Sequence, residues 1–156
     1  MESLLYTPEK QFGKLLTITT TFLSESEFAE LTFATMLFND VWYMMDSEMP
    51  LERRFADLTM LIRSYFRRLP LYDFIIEFKY LKLSEVKLSG AELKKLSITE
   101  LEALEPVTEK LKEAKQQLLD YQSRLEEKSD DRLKLQLISV VAVGFERVVW
   151  QMVAKQ

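Results

Sequence analysis

The stretch from Leu71 to Leu83 alternates apolar and polar residues with a period of two. Successive side chains on a strand point to opposite faces of a sheet, and aromatic and β-branched residues are common in strands. The pattern therefore predicts a β-strand with one apolar face and one mixed face. The apolar face comprises Phe74, Ile76, Phe78 and Tyr80. The mixed face places Glu77 and Lys79 two residues apart on a very hydrophobic strand.

A second alternating stretch, Arg54 to Ile62, precedes this strand. Antiparallel pairing through the polar connection at 63–70 would let both apolar faces contact one core, and Asp57 would share a face with Glu77 and Lys79. Two carboxylates beside an ammonium suit a metal-dependent phosphodiesterase. The carboxylates hold a hard divalent cation, and the ammonium acts on the attacking water or the phosphate charge. The competing interpretation is a surface salt bridge between Lys79 and Asp57.

The first part of the chain favours helices. Ser24 to Glu27 forms a capping box, which predicts the start of a helix. A stripe with steps of three and four follows it, consisting of Phe28, Leu31, Thr35, Phe38, Trp42 and Met45. Met49 and Pro50 are expected to end that pattern. Glu27 either completes the site from this helix or is only the cap, and the cap is the simpler interpretation.

The second half predicts one long helix and two strands. The polar segment 84–105 contains two short helical signals, and Pro106 opens a helix through about Glu127. Its apolar stripe is Val107, Leu111, Ala114, Leu118, Tyr121 and Leu125. Gln117 falls on the flank of that stripe, from which a side chain reaches a site beside a sheet. The apolar run Leu135 to Val143 predicts a buried strand, and Arg147 to Val153 a last one.

Composition narrows the chemistry. The 156 residues, 47% hydrophobic and 29% charged, suit one globular domain, and we expect residues 1–24 to be a helical extension of a domain at 25–156. The chain has no cysteine and no histidine, so catalysis has only carboxylates, lysine and a bound ion to use. No apolar run approaches about 18 residues and no leader pattern is present, so we expect a cytoplasmic protein without a membrane segment.

The net charge of −4 is unfavourable for binding nucleic acid, but five arginines surround the Asp57 strand. They are Arg53, Arg54, Arg63, Arg67 and Arg68. They are interpreted as phosphate contacts. The alternative is a hairpin whose charged tip serves only solubility.

The segments RFADLTMLI and FIIEFKYLKL resemble the PD-(D/E)XK nuclease superfamily. The similarity is greatest to the branch found as the C-terminal domain of bacterial proteins with an AAA-type ATPase-like N-terminal domain. Further similar segments occur in the expected order over roughly residues 30–153. They are FND and DSE before the hairpin, then AKQQLLDY and VAVGFERVVW after it.

The resemblance implies an α/β, restriction-endonuclease-like fold with a central mixed β-sheet flanked by helices. It implies that Asp57 and Glu77 bind Mg²⁺ or Mn²⁺ and that Lys79 acts on the water or the phosphate. It also implies a role for Gln117, and Glu48 would add a carboxylate. The expected partner is DNA, although RNA is also a substrate in this superfamily. A homodimer is compatible with these expectations.

The sequence departs from the family pattern in three ways. Ala56 replaces the proline that precedes the aspartate, the helical insertion at about 84–105 separates the Glu-x-Lys strand from the helix of Gln117, and the ATPase-like portion is missing. The chain is therefore either a domain of a longer parent protein or a stand-alone relative. A catalytically inactive nuclease-fold module, serving in nucleic-acid binding or protein interaction, is the main alternative. A helical scaffold with a hairpin would leave 135–143 without a sheet.

Overall fold

The computed structural model describes residues 42–51, 54–128 and 133–154, together with their side chains apart from those of 47–51 and 54–56. Within these ranges the strands are β1 (Tyr43–Leu51), β2 (Arg54–Ile62), β3 (Asp73–Leu81), β4 (Leu135–Val143) and β5 (Arg147–Val153). The α-helices are α1 (Leu83–Val86), α2 (Gly90–Lys95), α3 (Ile98–Glu102) and α4 (Glu105–Lys128). All four helices fall between β3 and β4.

The described strands form one five-stranded sheet in the order β1-β2-β3-β4-β5. The pairs β1–β2, β2–β3 and β4–β5 are antiparallel, while β3 and β4 are parallel. A parallel pair needs a long crossover, and α1 to α4 provide it. This mixed sheet with helices confirms the predicted α/β, restriction-endonuclease-like fold class.

Strand β3 is central because both of its faces bury apolar side chains. Phe74 and Ile76 pack on one face with Leu58 and Met60 of β2. Ile75 packs on the other face, against Leu118, Tyr121 and Leu125 of α4. The antiparallel β2–β3 hairpin and its two-faced alternation agree with the pattern in the sequence.

Helix α4 lies on the sheet through the predicted stripe, all six residues of which are buried. Its first half packs with Leu81, Val141 and Val143 in one apolar cluster. Its second half packs with Ile75, Leu135 and Leu137 in a separate cluster. Replacing a fully buried residue such as Leu118 by alanine would cost about 2–5 kcal/mol. Between the two apolar clusters the sheet carries polar side chains. This polar level of the sheet contains the candidate site.

The segment before α4 is held to the sheet by few but specific contacts. Ser89 and Ser97 begin α2 and α3 with capping boxes, as the short helical signals predict. Leu93 and Leu101 bury their side chains completely. Arg147 Nη1 on β5 donates to the carbonyls of Leu93 and Leu96 at 2.8 and 2.7 Å. The arginine thereby adds hydrogen bonds at the end of α2, where the Leu93 carbonyl also accepts from the backbone amide of Leu96 at 3.2 Å.

One prediction about the secondary structure is wrong. Trp42 and Met45 were expected in a helical stripe, but Trp42 lies in a turn and Met45 lies in strand β1. Tyr43 is 2% exposed and Met44 is 46% exposed, which is the alternation of a strand. Pro50 does not end the element, because β1 is the outermost described strand and an edge strand tolerates a residue without an N–H. The rest of that predicted stripe, and Glu27, lie outside the described residues.

The start of β3 is fixed by a buried carboxylate. Asp73 is fully buried, and its oxygens accept hydrogen bonds from the backbone amides of Ile62 and Lys134 at 2.8 and 2.9 Å. Arg67 Nη1 adds an ion pair at 2.7 Å. Asp73 therefore ties together the end of β2 and the starts of β3 and β4. None of the described helices is both long and apolar enough to cross a bilayer.

Candidate active site

The register of the sheet brings Asp57 and Glu77 opposite each other. The β2–β3 pairs run from Met60 with Phe74 to Leu58 with Ile76, and one further step in the same register would pair Asp57 with Glu77. Directly opposed residues of antiparallel strands project to the same face. That face is the one covered by α4, since Leu61 of β2 and Ile75 of β3 pack in the α4 cluster.

Asp57 interacts with the backbone of β3. Its Oδ2 accepts a hydrogen bond of 2.7 Å from the backbone amide of Phe78. The carboxylate thus takes a bond that a backbone carbonyl of β2 would accept if the ladder continued. The hydrogen bond holds the Asp57 side chain beside residues 77–79, which form the Glu-x-Lys motif.

Glu77 is the most constrained acid of the site. It is 2% exposed, its Oε1 accepts a 2.9 Å hydrogen bond from Lys79 Nζ, and its buried Oε2 has no hydrogen-bond partner. Burial, and then the charge of Asp57, raise the pKa of Glu77 to about 7, although Lys79 and the backbone amide of Asp57 act in the opposite direction. The ionised carboxylate is therefore short of positive charge, which a cation would supply.

Lys79 lies between two carboxylates. Its Nζ is 2.9 Å from Glu77 Oε1 and 3.5 Å from Glu113 Oε1. Burial lowers the pKa of Lys79, but the hydrogen bond and charge of Glu77 outweigh burial, with Glu113 and Asp57 contributing, and the net shift is upward. The side chain is therefore an ammonium at neutral pH, largely buried and fixed in place.

Gln117 faces the same region from α4. It follows Glu113 by four residues, so the two lie one turn apart on one flank of the helix. The Oε1 atom of Gln117 is buried without a hydrogen-bond partner, as is Glu77 Oε2. Orphaned buried oxygens are rare because each one loses its hydration without compensation. Both oxygens are ligands of the kind that Mg²⁺ and Mn²⁺ prefer.

The oxygen donors fit a hard divalent cation, though not a cage made of acids alone. Among the described residues, no group of three or more histidine, cysteine, aspartate or glutamate side chains is arranged to hold a metal ion. Asp57 and Glu77 provide two carboxylates, and Gln117 offers an amide oxygen. Mg²⁺ commonly binds through one or two carboxylates and keeps water and substrate oxygens as its other ligands. The set is thus adequate for a catalytic ion.

Glu48 lies in β1 at a matching position. Ser47 pairs with Leu58 and Met49 with Ala56, so Glu48 stands across from Asp57 in the same register. The backbone therefore places Glu48, Asp57 and Glu77 at one level on three adjacent strands. The side chain of Glu48 is outside the described part of the structure, and its role as a ligand stays a prediction.

The predicted arginine cluster is divided by the fold. Arg63 lies six positions after Asp57, which is about 20 Å along the strand. Arg63 and Arg68 are exposed at that far end, and Arg67 is paired with the buried Asp73. The structure does not bring these three side chains to the carboxylates. Arg53 and the side chain of Arg54 lie outside the described residues.

Glu113 is a member of the site that sequence reasoning missed. It contacts Lys79 and also accepts a 2.8 Å hydrogen bond from Lys110, which, with the charge of Lys79, holds the pKa of Glu113 below its usual value. The available signal was its spacing of four residues from Gln117. That spacing puts both on one flank of a helix whose apolar stripe was already visible.

A comparison with protein families found a match. The family model described as the PD-(D/E)XK nuclease superfamily matches residues 25–152. It spans Asp57, the Glu77–Lys79 pair and the helix that carries Glu113 and Gln117. No match was found among curated proteins, and none among solved structures.

Proposed function

Because the chain belongs to the PD-(D/E)XK nuclease superfamily, we propose that it is a metal-dependent nuclease that hydrolyses phosphodiester bonds, with DNA as its substrate. The observation that carries the proposal is the state of Glu77. Its buried carboxylate has one oxygen without a hydrogen-bond partner, lies on the strand that pairs with the Asp57 strand, and is 2.9 Å from the largely buried Lys79 ammonium. A buried oxygen without a hydrogen-bond partner favours a cation-binding role for Glu77 over a purely structural ion pair.

Asp57 and Glu77 are the residues that would hold Mg²⁺ or Mn²⁺, with Gln117 and Glu48 as further oxygen donors. When bound, such an ion polarises a phosphoryl oxygen and makes a coordinated water more acidic. The protein's part is to fix these oxygens. Asp57 is oriented by the Phe78 amide, and Glu77 is oriented by Lys79.

Lys79 is proposed to donate a hydrogen bond to the attacking water or to the phosphate oxygen that gains negative charge. Its ammonium is held beside Glu77 and Glu113, so little reorganisation is needed when charge develops. A preorganised donor in a poorly solvated site stabilises a transition state more than the same donor in water. The chain contains no histidine that could take over this role.

An inactive nuclease-fold module is the second candidate, because the net charge of −4 disfavours nucleic-acid binding and Arg67 is committed to Asp73. Such a module would bind a nucleic acid or a protein without cleaving it.

The proposal includes two further partners. They are a second copy of the chain and an ATPase-like domain in a longer parent protein.

The test is a cleavage assay on plasmid, linear and single-stranded DNA and on RNA, with Mg²⁺, Mn²⁺ or Ca²⁺. We expect cleavage of DNA with Mg²⁺ or Mn²⁺ that is lost in Asp57→Asn and Glu77→Gln. The matched controls are Glu126→Gln and Lys128→Ala, which alter a Glu-x-Lys pair in helix α4. At that spacing on a helix the two side chains point about 200° apart. Two results would contradict the proposal. One is cleavage that survives in both Asp57→Asn and Glu77→Gln, and the other is an absence of cleavage with every metal tested.

A further inference from the structure

A cleft lies between α4 and β5, on the flank of α4 opposite Glu113 and Gln117. Its volume is about 420 Å³, within the range of pockets that bind small molecules. Lys112, Lys115 and Thr108 line it from the helix. Ser139 and Gln151 line it from the sheet, and Glu102 of α3 lines it from the side. Ser139 is the parallel neighbour of Glu77, so the polar level of the sheet continues into this cleft.

The cleft is distinct from the candidate active site. Lys115 and Gln117 are two residues apart, which separates them by about 200° around the helix. Gln117 and Glu113 therefore face the carboxylate site, whereas Lys112 and Lys115 line the opposite flank. Neither Asp57 nor Glu77 lines the cleft.

Lys112 and Lys115 bring two positive charges to the cleft, against the one carboxylate of Glu102. Neither forms an ion pair within the described part of the chain, whereas Lys110 on the same helix is paired with Glu113. Two like charges three residues apart on a helix repel each other. A bound anion would remove that repulsion and accept hydrogen bonds from both ammonium groups.

The remaining lining indicates more than a simple anion site. Thr108 is already engaged, because its hydroxyl donates to the Glu102 carbonyl at 2.9 Å. The Ser139 hydroxyl similarly donates to the Gln151 carbonyl at 3.3 Å. The Glu102 carboxylate and the Gln151 amide are thus the groups left for a ligand. A carboxylate repels phosphate but accepts hydrogen bonds from sugar hydroxyls, as acidic residues do in nucleotide sites.

We propose that this cleft binds a small phosphorylated ligand that carries hydroxyl groups, which is the chemistry of a nucleotide or a sugar phosphate. Lys112 and Lys115 bind the phosphate, and Glu102 and Gln151 bind the hydroxyl-bearing part. The proposal goes beyond the nuclease function and does not depend on it, because none of these residues belongs to the metal site.

The test is calorimetric titration of the metal-free protein, in EDTA, with AMP, ribose 5-phosphate, inorganic phosphate and adenosine. We expect saturable binding of AMP, of ribose 5-phosphate or of both, and weaker binding of inorganic phosphate and adenosine. Binding of AMP alone assigns the cleft to nucleotides, and equal binding of both ligands assigns it to the shared sugar phosphate. Lys112→Ala with Lys115→Ala should weaken binding on the order of tenfold or more, because two charge-assisted contacts are lost.

The matched control is Lys95→Ala with Lys128→Ala, which removes the same charge from exposed positions outside the cleft. It should bind like the parent. Gln151→Leu keeps the charge and should weaken AMP and ribose 5-phosphate but not inorganic phosphate. The proposal is overturned if none of the probes saturates, if inorganic phosphate binds as tightly as the larger ligands, or if the two double variants lose affinity equally. EDTA keeps the outcome independent of the metal site.

Discussion

Lys79 Nζ donates to Glu77 Oε1 at 2.9 Å, while the other oxygen of the same buried carboxylate has no partner. The Glu-x-Lys spacing achieves this only on a strand, where residues two apart share a face. The strand is buried on its other face as well, so the pair is largely removed from water. The ammonium is thereby fixed while the acid remains short of positive charge.

The first prediction concerns the pH dependence of stability without metal. The pKa of Glu77 is about 7 in the folded protein against an ordinary value of 4.5. The folded state therefore holds this proton more tightly than the unfolded state. The resulting stabilisation is complete below about pH 4.5 and lost as pH rises to about 7, a change of about 3 kcal/mol. Glu77→Gln should remove this loss, which urea unfolding at about pH 5 and about pH 8 in EDTA would measure.

Glu126→Gln on the exposed face of α4 is the control for that experiment, and its pH dependence should match the parent. If Glu77→Gln loses as much stability between the two pH values as the parent does, the pKa of Glu77 is not raised in the folded protein.

The second prediction is that Mn²⁺ stabilises the folded protein above pH 7. Binding to the folded state alone adds about 2.7 kcal/mol when the free ion is at about 100 times its dissociation constant. Asp57→Asn and Glu77→Gln should abolish this increase in the free energy of unfolding, because each removes a negatively charged metal ligand. Thermal unfolding with and without Mn²⁺ measures the effect. An equal gain in the parent and in both variants would place the ion elsewhere.

Much of the fold was accessible from sequence periodicity. Strands β2 to β5 and helix α4 each carry a pattern long enough to fix their type, and the β2–β3 hairpin alone predicts that Asp57 and Glu77 share a face. Strand β1 was missed because Trp42 and Met45 continue the three-four spacing of the preceding stripe. The side chains of Tyr43 and Met44 alternate between buried and exposed, as in a strand, but this alternation is shorter than the helical stripe.

The details of the site were less accessible, since they depend on contacts between elements. The position of Glu113 over Lys79 depends on how α4 lies on β3, which no local pattern encodes. The same holds for Arg67, whose partner Asp73 lies beyond a turn. Sequence reasoning groups Arg67 with its neighbours by charge, and only the packed structure separates it from them.

The third prediction therefore assigns Arg67 to stability. Arg67→Ala would leave the buried Asp73 carboxylate with backbone donors but no counter-charge, which should cost about 2–4 kcal/mol. Arg68→Ala, at the adjacent exposed position, should change stability by less than about 0.5 kcal/mol. Urea unfolding of both variants decides the matter. Equal effects would mean that the Arg67 pair is not structural, and any DNA-binding test of these arginines should begin with Arg68→Ala.

The last prediction separates the roles of Lys79 and Glu77 in the proposed nuclease. Lys79→Ala removes a preorganised donor and should lower the cleavage rate by on the order of 10²- to 10³-fold, while Mn²⁺ binding persists because the carboxylates remain. Glu77→Gln should lose both metal binding and cleavage. Calorimetric Mn²⁺ titration beside a gel cleavage assay gives the two measurements, with Lys128→Ala as the control. If Lys79→Ala cleaves at the parent's rate, its contacts with Glu77 and Glu113 form only an ion-pair network, and the ammonium has no part in the chemistry.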